Sequence, residues 1–264
     1  MGVRRVHSGK RLLDLPGLQA LVTLLRERGY TVLGPTVRDG VVTTGEITGV
    51  DDLPRGWGDD QQPGSYRLRP REDGALFGFA APAQSAKQTL FPPRVTLWRR
   101  TRTEDGFAVT LGDRSINAEP AATGSAADGP TATGREGSGP DGAPRYALLG
   151  VRSCDLHAIG IHDRVLDGRA VVDPDYHARR RDLLTIAVTC SDPASTCFCG
   201  SLGTGPRPVA GSGFDIALTE ILTGGHRFLA EVGSPVGADL LAAVGAPAAT
   251  PVEESAADVV ARDA

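Results

Sequence analysis

Four cysteines are the residues of this sequence best equipped for chemistry, and they all fall in one stretch: Cys154, Cys190, Cys197 and Cys199. Their spacing is C-x35-C-x6-C-x-C. Each of the first two follows closely on an apolar run, YALLGV and LLTIAV, so each is expected where a buried strand emerges into a loop. Two strand ends and one tight C-F-C pair can bring four thiolates to a point, and thiolates ligate zinc and iron–sulfur clusters. The spacing is neither the C-x2-C-x2-C run of a ferredoxin nor the paired C-x2-C knuckles of a zinc ribbon.

A blander reading makes Cys154 and Cys190 small buried hydrophobes at strand ends, as free cysteines often are. It suits Cys190 well. It suits Cys197-Phe198-Cys199 poorly, because that pair lies among Ser, Thr, Pro and Gly with no apolar stripe to join. A four-thiolate site serves both zinc and a [4Fe–4S] cluster, so spacing leaves the metal open. Gly200, Ser201, Gly203 and Gly205 leave backbone N–H groups free to bond cluster sulfides, and would also serve any tight loop.

Other candidate chemistry is thinner. Gly203-Thr204-Gly205 and Gly211-Ser212-Gly213 do not complete G-x-G-x-x-G, and no G-x-x-x-x-G-K-[ST] occurs, so nothing specific supports nucleotide binding. Asp155, His157, His162 and Asp163 suggest an acid/base or metal site, but on a helix they read more simply as a polar face beside the cysteines. Arg179-Arg180-Arg181 reads as a solvated helix end, with a basic rim for an acidic redox partner as the second reading. Trp57 and Trp98 read as core or interface anchors.

Composition limits the classes of function. With 264 residues, 40% hydrophobic and 23% charged, the chain can bury a core, and its net charge of −4 gives no basic face for nucleic acid. Positive charge is almost all arginine, with lysine only at Lys10 and Lys87. No signal peptide, myristoylation pattern or transmembrane run is evident, which places the expectation in the cytoplasm, where cysteines stay reduced.

The elements that must position the cysteines follow from local pattern. A helix is expected over 14–28, capped by Asp14 and stopped at Gly29, then a strand 30–33 and a Gly34-Pro35 turn. Asp39-Gly40 predicts a hairpin; 51–64 reads as a loop carrying Trp57, and strands 65–69 and 75–79 as a second hairpin about Glu72-Asp73-Gly74. A short helix 86–90 and strands 95–100 and 106–111 come next. Strand 146–151, helix 156–165, helix 174–181 and strand 183–189 then alternate as a β-α-β unit. Residues 214–222 read as strand or helix, and the last forty or so residues as Ala-rich helical pieces such as 238–244, ending in a polar tail 253–264. The fold class is α/β (mixed α+β). A β-rich region 1–116 with one leading helix and an α/β cysteine-bearing region 145–264 flank a disordered insertion 117–144, which has no large apolar residue, and the two regions can form one globular domain.

The strings GVRSCDLHAIGIHDRV, DPDYHARRRDLLTIAVTCSDPASTCFCGSLGTGP and GFDIALTE resemble the β subunit of the cytosolic bidirectional NiFe hydrogenases (sulfhydrogenases) and are similar to the related iron–sulfur subunit of anaerobic sulfite reductase. RGYTVLGPTVRDGVV, DLPRGWGDDQQPGSYRLRPREDGALFGFA and LFPPRVTLW agree, so the resemblance runs from about Leu18 to about Leu222. It implies a non-catalytic iron–sulfur electron-transfer subunit. Such a protein relays electrons between a flavin subunit using NAD(P)H and a hydrogenase or sulfite-reductase subunit. Cys154, Cys190, Cys197 and Cys199 would then bind one [4Fe–4S] cluster. Members of that family also carry a ferredoxin-like part with two C-x2-C-x2-C-x3-C-P runs. This sequence has no such cysteines, so that part is expected on a separate ferredoxin-like chain or lost by truncation. Two other readings stay open: an assembly module whose four cysteines bind zinc or nothing, and a flavin- or deazaflavin-dependent reductase.

Overall fold

The computed structural model describes residues 9–82, 84–96, 98–103, 106–111, 145–168 and 172–264; the 117–144 insertion lies outside them. Strand β1 (Arg11–Asp14) leads into helix α1 (Leu15–Glu27). The Asp14 carboxylate caps α1 by accepting the Gly17 N–H at 2.8 Å, and Leu18, Leu21, Val22 and Leu25 form its buried stripe. Strands β2 (Thr31–Arg38) and β3 (Val41–Glu46) meet at Asp39-Gly40, both with positive φ, as the Asp-Gly pair requires. The expected turn at Gly34-Pro35 is instead strand interior. Pairing of β2 to its other neighbour ends at Leu33, so the missing N–H of Pro35 leaves no gap in that ladder.

Residues 57–62, expected in a loop, form strand β4 (Trp57–Gln62), and its antiparallel partner is β5 (Ser65–Pro70) across Pro63-Gly64. Asp59, Asp60, Gln61 and Gln62 hid this strand, since polar residues seldom mark one. The expected 65–69/75–79 hairpin does not form. After short helix α2 (Lys87–Leu90) comes an antiparallel pair, β6 (Trp98–Thr103) and β7 (Gly106–Leu111).

The second half runs β8 (Tyr146–Val151), α3 (Ser153–Leu166), α4 (Pro174–Arg181), β9 (Leu184–Val188), the four-residue α5 (Cys199–Leu202) and β10 (Ile216–Ile221). Strand β11 (Arg227–Val232), helix α6 (Pro235–Ala243) and helix α7 (Pro251–Asp263) complete it. The fold is mixed α/β, as expected from the sequence. Its main sheet has seven strands in the order β1-β11-β10-β9-β8-β2-β3, with β10, β9, β8 and β2 mutually parallel. Strands from both halves of the sequence therefore share one sheet.

Side chains alternate across this sheet. Ala147, Leu149, Ile186, Val188, Ile216 and Leu218 join the core with the α1 and α6 leucines. Leu148, Ala187 and Ala217 face the other way, toward Leu156 and Ile159 of α3 and Tyr176 of α4. The sheet is thus covered on both faces, the setting in which parallel strands are stable. Among the described residues no helix is long and apolar enough to cross a membrane.

Residues 75–80 are all buried yet belong to no strand. Their backbone groups are satisfied by side chains. The N–H groups of Leu76 and Phe77 donate to the Glu220 carboxylate at 2.7 and 3.0 Å, and Ala80 N–H donates to Asp59 at 2.9 Å. The carbonyls of Phe77 and Phe79 accept from Arg152 at 2.7 and 2.9 Å. Glu220 is also within 2.6 Å of the His226 ring. Buried backbone without partners costs about 1–3 kcal/mol per group, so these contacts hold the segment in place. Glu220→Gln replaces one accepting oxygen by an NH2 that cannot accept, and is expected to lower unfolding free energy by about 2–3 kcal/mol in urea titrations. An unchanged midpoint would show that the carboxylate does not hold the segment.

Candidate metal centre

Strands β8 and β9 are parallel neighbours, so their C-terminal ends leave the sheet along the same edge. The chain leaving β8 turns at once into α3, with Asp155 accepting the Arg152 N–H at 3.1 Å. Cys154 therefore stands in the first turn of a helix, not in the expected loop, and near the positive end of the helix dipole. Beyond β9, the hydroxyls of Thr189 and Thr219 bond at 2.8 Å, and the chain enters the segment carrying Cys190, Cys197 and Cys199.

Parallel neighbours need a crossover, which is usually a helix that covers the sheet. Here residues 189–215 cross from β9 to β10 with only α5 along the way. Between Cys190 and Gly213 only Pro208 is buried, so the crossover has no apolar core of its own. Its fixings are polar. The Asp192 carboxylate accepts from Arg69 at 2.8 Å and Arg71 at 2.6 Å, and Ser195 donates to the Gln61 carbonyl at 3.0 Å. Cys190 N–H donates to the Pro206 carbonyl at 3.1 Å, and Arg207 pairs with Glu231 and Asp258, both at 2.6 Å. The Ala194 N–H points at the Cys197 Sγ, 3.3 Å away. Gly205 is required by close approach: a Cβ there would lie 3.2 Å from the Cys199 Sγ.

All four cysteines line one cavity of about 690 Å³, with Arg152, His157 and Ala80 also in its walls. Cys154 and Cys197 are exposed, Cys190 and Cys199 half-buried, and Phe198 and Leu202 stand exposed at the rim. The thiols surround the cavity without converging on one point. Among the described residues no three Cys, His, Asp or Glu side chains are grouped so as to hold a single metal ion.

Burial, and after it the charge of Asp155, pushes the Cys154 thiol up to about 11. Burial also raises Cys190, with Arg152 as the main opposing charge. Such thiols are neutral at ordinary pH and give up their protons when a cation takes their place. Soft sulfur donors alone, with no carboxylate among the cavity walls named above, fit zinc or an iron–sulfur core and do not suit hard cations.

The other sequence candidates part company. Asp155 caps α3, and His157 is exposed on the cavity wall. The buried Nδ1 of His162 has no partner among the described residues. Asp163 accepts from Tyr176 at 2.7 Å and from Arg180 at 3.0 Å, which ties α4 to α3. Arg180 is thus spent inside the fold, and Arg181 pairs with Asp182 at 3.2 Å. Trp57 and Trp98 both lie at the surface. Sequence reasoning missed Arg152, Glu220 and Asp192. The available signal for the first two was a charged residue at the end of an apolar strand, as in YALLGVR and IALTE.

A stretch of 97 residues is 41% identical to the sulfhydrogenase 2 subunit beta of Pyrococcus furiosus. It makes up 37% of this chain and 27% of that protein, so the match spans only about a quarter of the relative. The resemblance to hydrogenase β subunits read from the sequence holds over that stretch. No family model matches the chain, and no solved structure matches it at a significant level.

In metal-free protein at pH about 8, alkylation of Cys154 by iodoacetamide is expected to run about a hundredfold slower than for an ordinary thiol. Peptide mapping after timed quenching measures it. Because the folded value is the higher one, the stability this thiol contributes is complete below pH 9.0 and lost as pH rises through about 11. A rate equal to that of a free thiol would refute the burial effect.

Proposed function

We propose that this chain is an iron–sulfur electron-transfer subunit of a hydrogenase- or sulfite-reductase-type oxidoreductase, with Cys154, Cys190, Cys197 and Cys199 holding one [4Fe–4S] cluster. The observation that carries this reading is the crossover from β9 to β10. Three of the four cysteines lie on a segment without an apolar core, the fourth faces them from α3, and all four line one cavity. Cross-linking through sulfur would give that segment the core it lacks. The stretch shared with a sulfhydrogenase β subunit supports the same reading.

Thiols spread around a cavity favour a cluster over zinc. A tetrahedral zinc with bonds of about 2.3 Å draws its sulfurs to within about 4 Å of one another, whereas a four-iron core spaces them more widely. When bound, the cluster supplies one-electron redox chemistry. The protein's part is to hold and insulate it. Cys154 and Cys190 anchor it to strand ends, Asp192 and Arg207 pin the two sides of the loop, and Phe198 and Leu202 screen the rim. In this reading the chain works in the cytoplasm. It relays electrons between a flavin subunit that uses NAD(P)H and a hydrogenase or sulfite-reductase subunit, directly or through a separate ferredoxin-like chain.

Anaerobically purified chain, reconstituted with iron and sulfide, is expected to be brown and to hold about four irons and about four sulfides, the content of one cubane. Cys197→Ser should lose most of the visible absorbance and the bound iron. Colourless protein with one tightly held zinc would sink the proposal in favour of a structural site.

A further inference from the structure

Arg152 is 1% exposed and is the largest of the fully buried side chains. It follows β8 directly and lines the cavity with the four cysteines. Its guanidinium donates to three acceptors, all of them neutral: the carbonyls of Thr189 at 2.9 Å, Phe77 at 2.7 Å and Phe79 at 2.9 Å. Its Nε is buried with no partner among the described residues. The nearest candidates for a counter-charge are committed elsewhere. Asp155 accepts the backbone N–H of Arg152, and Glu220 accepts from Leu76, Phe77 and His226. A guanidinium stays ionised on burial, so the fold encloses a fixed cation with an unused donor. Burying such a charge without a partner is costly, which points to an anion in the cavity.

We infer that Arg152 is the built-in counter-charge of the anionic iron–sulfur group in this cavity, offering its Nε–H to a sulfur and making one-electron reduction easier. This rests on the reading of the cavity given above. Four thiolates around a [4Fe–4S] core leave it with net negative charge, and each electron taken up from the redox donor brings one more. A fixed cation stabilises the reduced form more than the oxidised form, and hydrogen bonds to cluster sulfur act in the same direction. Arg152 is a positioning and tuning residue. It holds residues 77–79 and the end of β9 through three of its bonds and acts on the redox group through charge and the fourth donor.

The test is an EPR-monitored potentiometric titration of the reconstituted full chain. Arg152→Gln should shift the midpoint potential downward, and Arg152→Lys, which keeps the charge, should stay closer to the wild-type value. Equal potentials in all three proteins would overturn the inference while leaving the cluster assignment intact, because a purely structural arginine would change stability alone. If neither variant folds, wild-type protein labelled with ¹⁵N-arginine decides the matter. A hyperfine coupling from a guanidinium nitrogen is expected in pulsed EPR of the reduced centre, and its absence overturns the proposal. Wild-type protein that takes up no iron and sulfide refutes the reading of the cavity, and this inference with it.

Discussion

A stretch of buried backbone with no strand partner is held by two charged side chains, and much of the molecule is arranged around that contact. Residues 75–80 pass beneath the surface beside the sheet, with N–H groups on Glu220 and carbonyls on Arg152. Glu220 lies near the end of β10 and Arg152 just past the end of β8, so both act from the same edge of the parallel sheet. An uncharged pair could not have answered so many backbone groups at once. The segment joins the β4–β5 pair to the main sheet, and β5 in turn supplies Arg69, which with Arg71 reaches across to Asp192 in the cysteine-bearing crossover. Removing the anchored backbone would therefore loosen one wall of the cavity as well as the core, where Phe77 packs edge-on against Phe228.

What the sequence disclosed and what it withheld divide along physical lines. Asp39-Gly40, the capped helix α1 and the apolar strands β8 and β9 are local signals, each carried by a few adjacent residues, and all are present. Strand β4 was hidden because its pairing depends on β5 rather than on its own polar residues. Residues 75–79 read as a strand because they are apolar, yet their burial on every side left no edge for a partner. Strand β11 lay within an Ala-rich region that resembled helix, and it takes its conformation from β1 and β10 on either side. The four cysteines were legible as a group, and the structure sets them round one cavity. The charges that govern them were not, since Arg152 and Glu220 acquire their partners only from residues far along the chain.

The crossover between β9 and β10 has a composition that explains its chemistry. Parallel strands are normally joined by a helix whose apolar face is bound to the sheet. Residues 190–213 have no such face, and ion pairs at Asp192 and Arg207 hold them from outside. Exposed or half-exposed ion pairs contribute little stability each, at most about 1 kcal/mol. Such a segment can adjust the positions of its thiols at small cost, which suits ligands that must close around a bound group.

That separation has a consequence for how the protein is handled inside a cell. The sheet and its two covering layers draw their stability from leucines, valines and phenylalanines that never touch the cysteine-bearing segment. Foldedness and loading are therefore separate variables. A chaperone or protease that inspects exposed apolar surface meets the same molecule, filled or empty, everywhere except along residues 189–213. Any surveillance of incomplete copies must read that one segment.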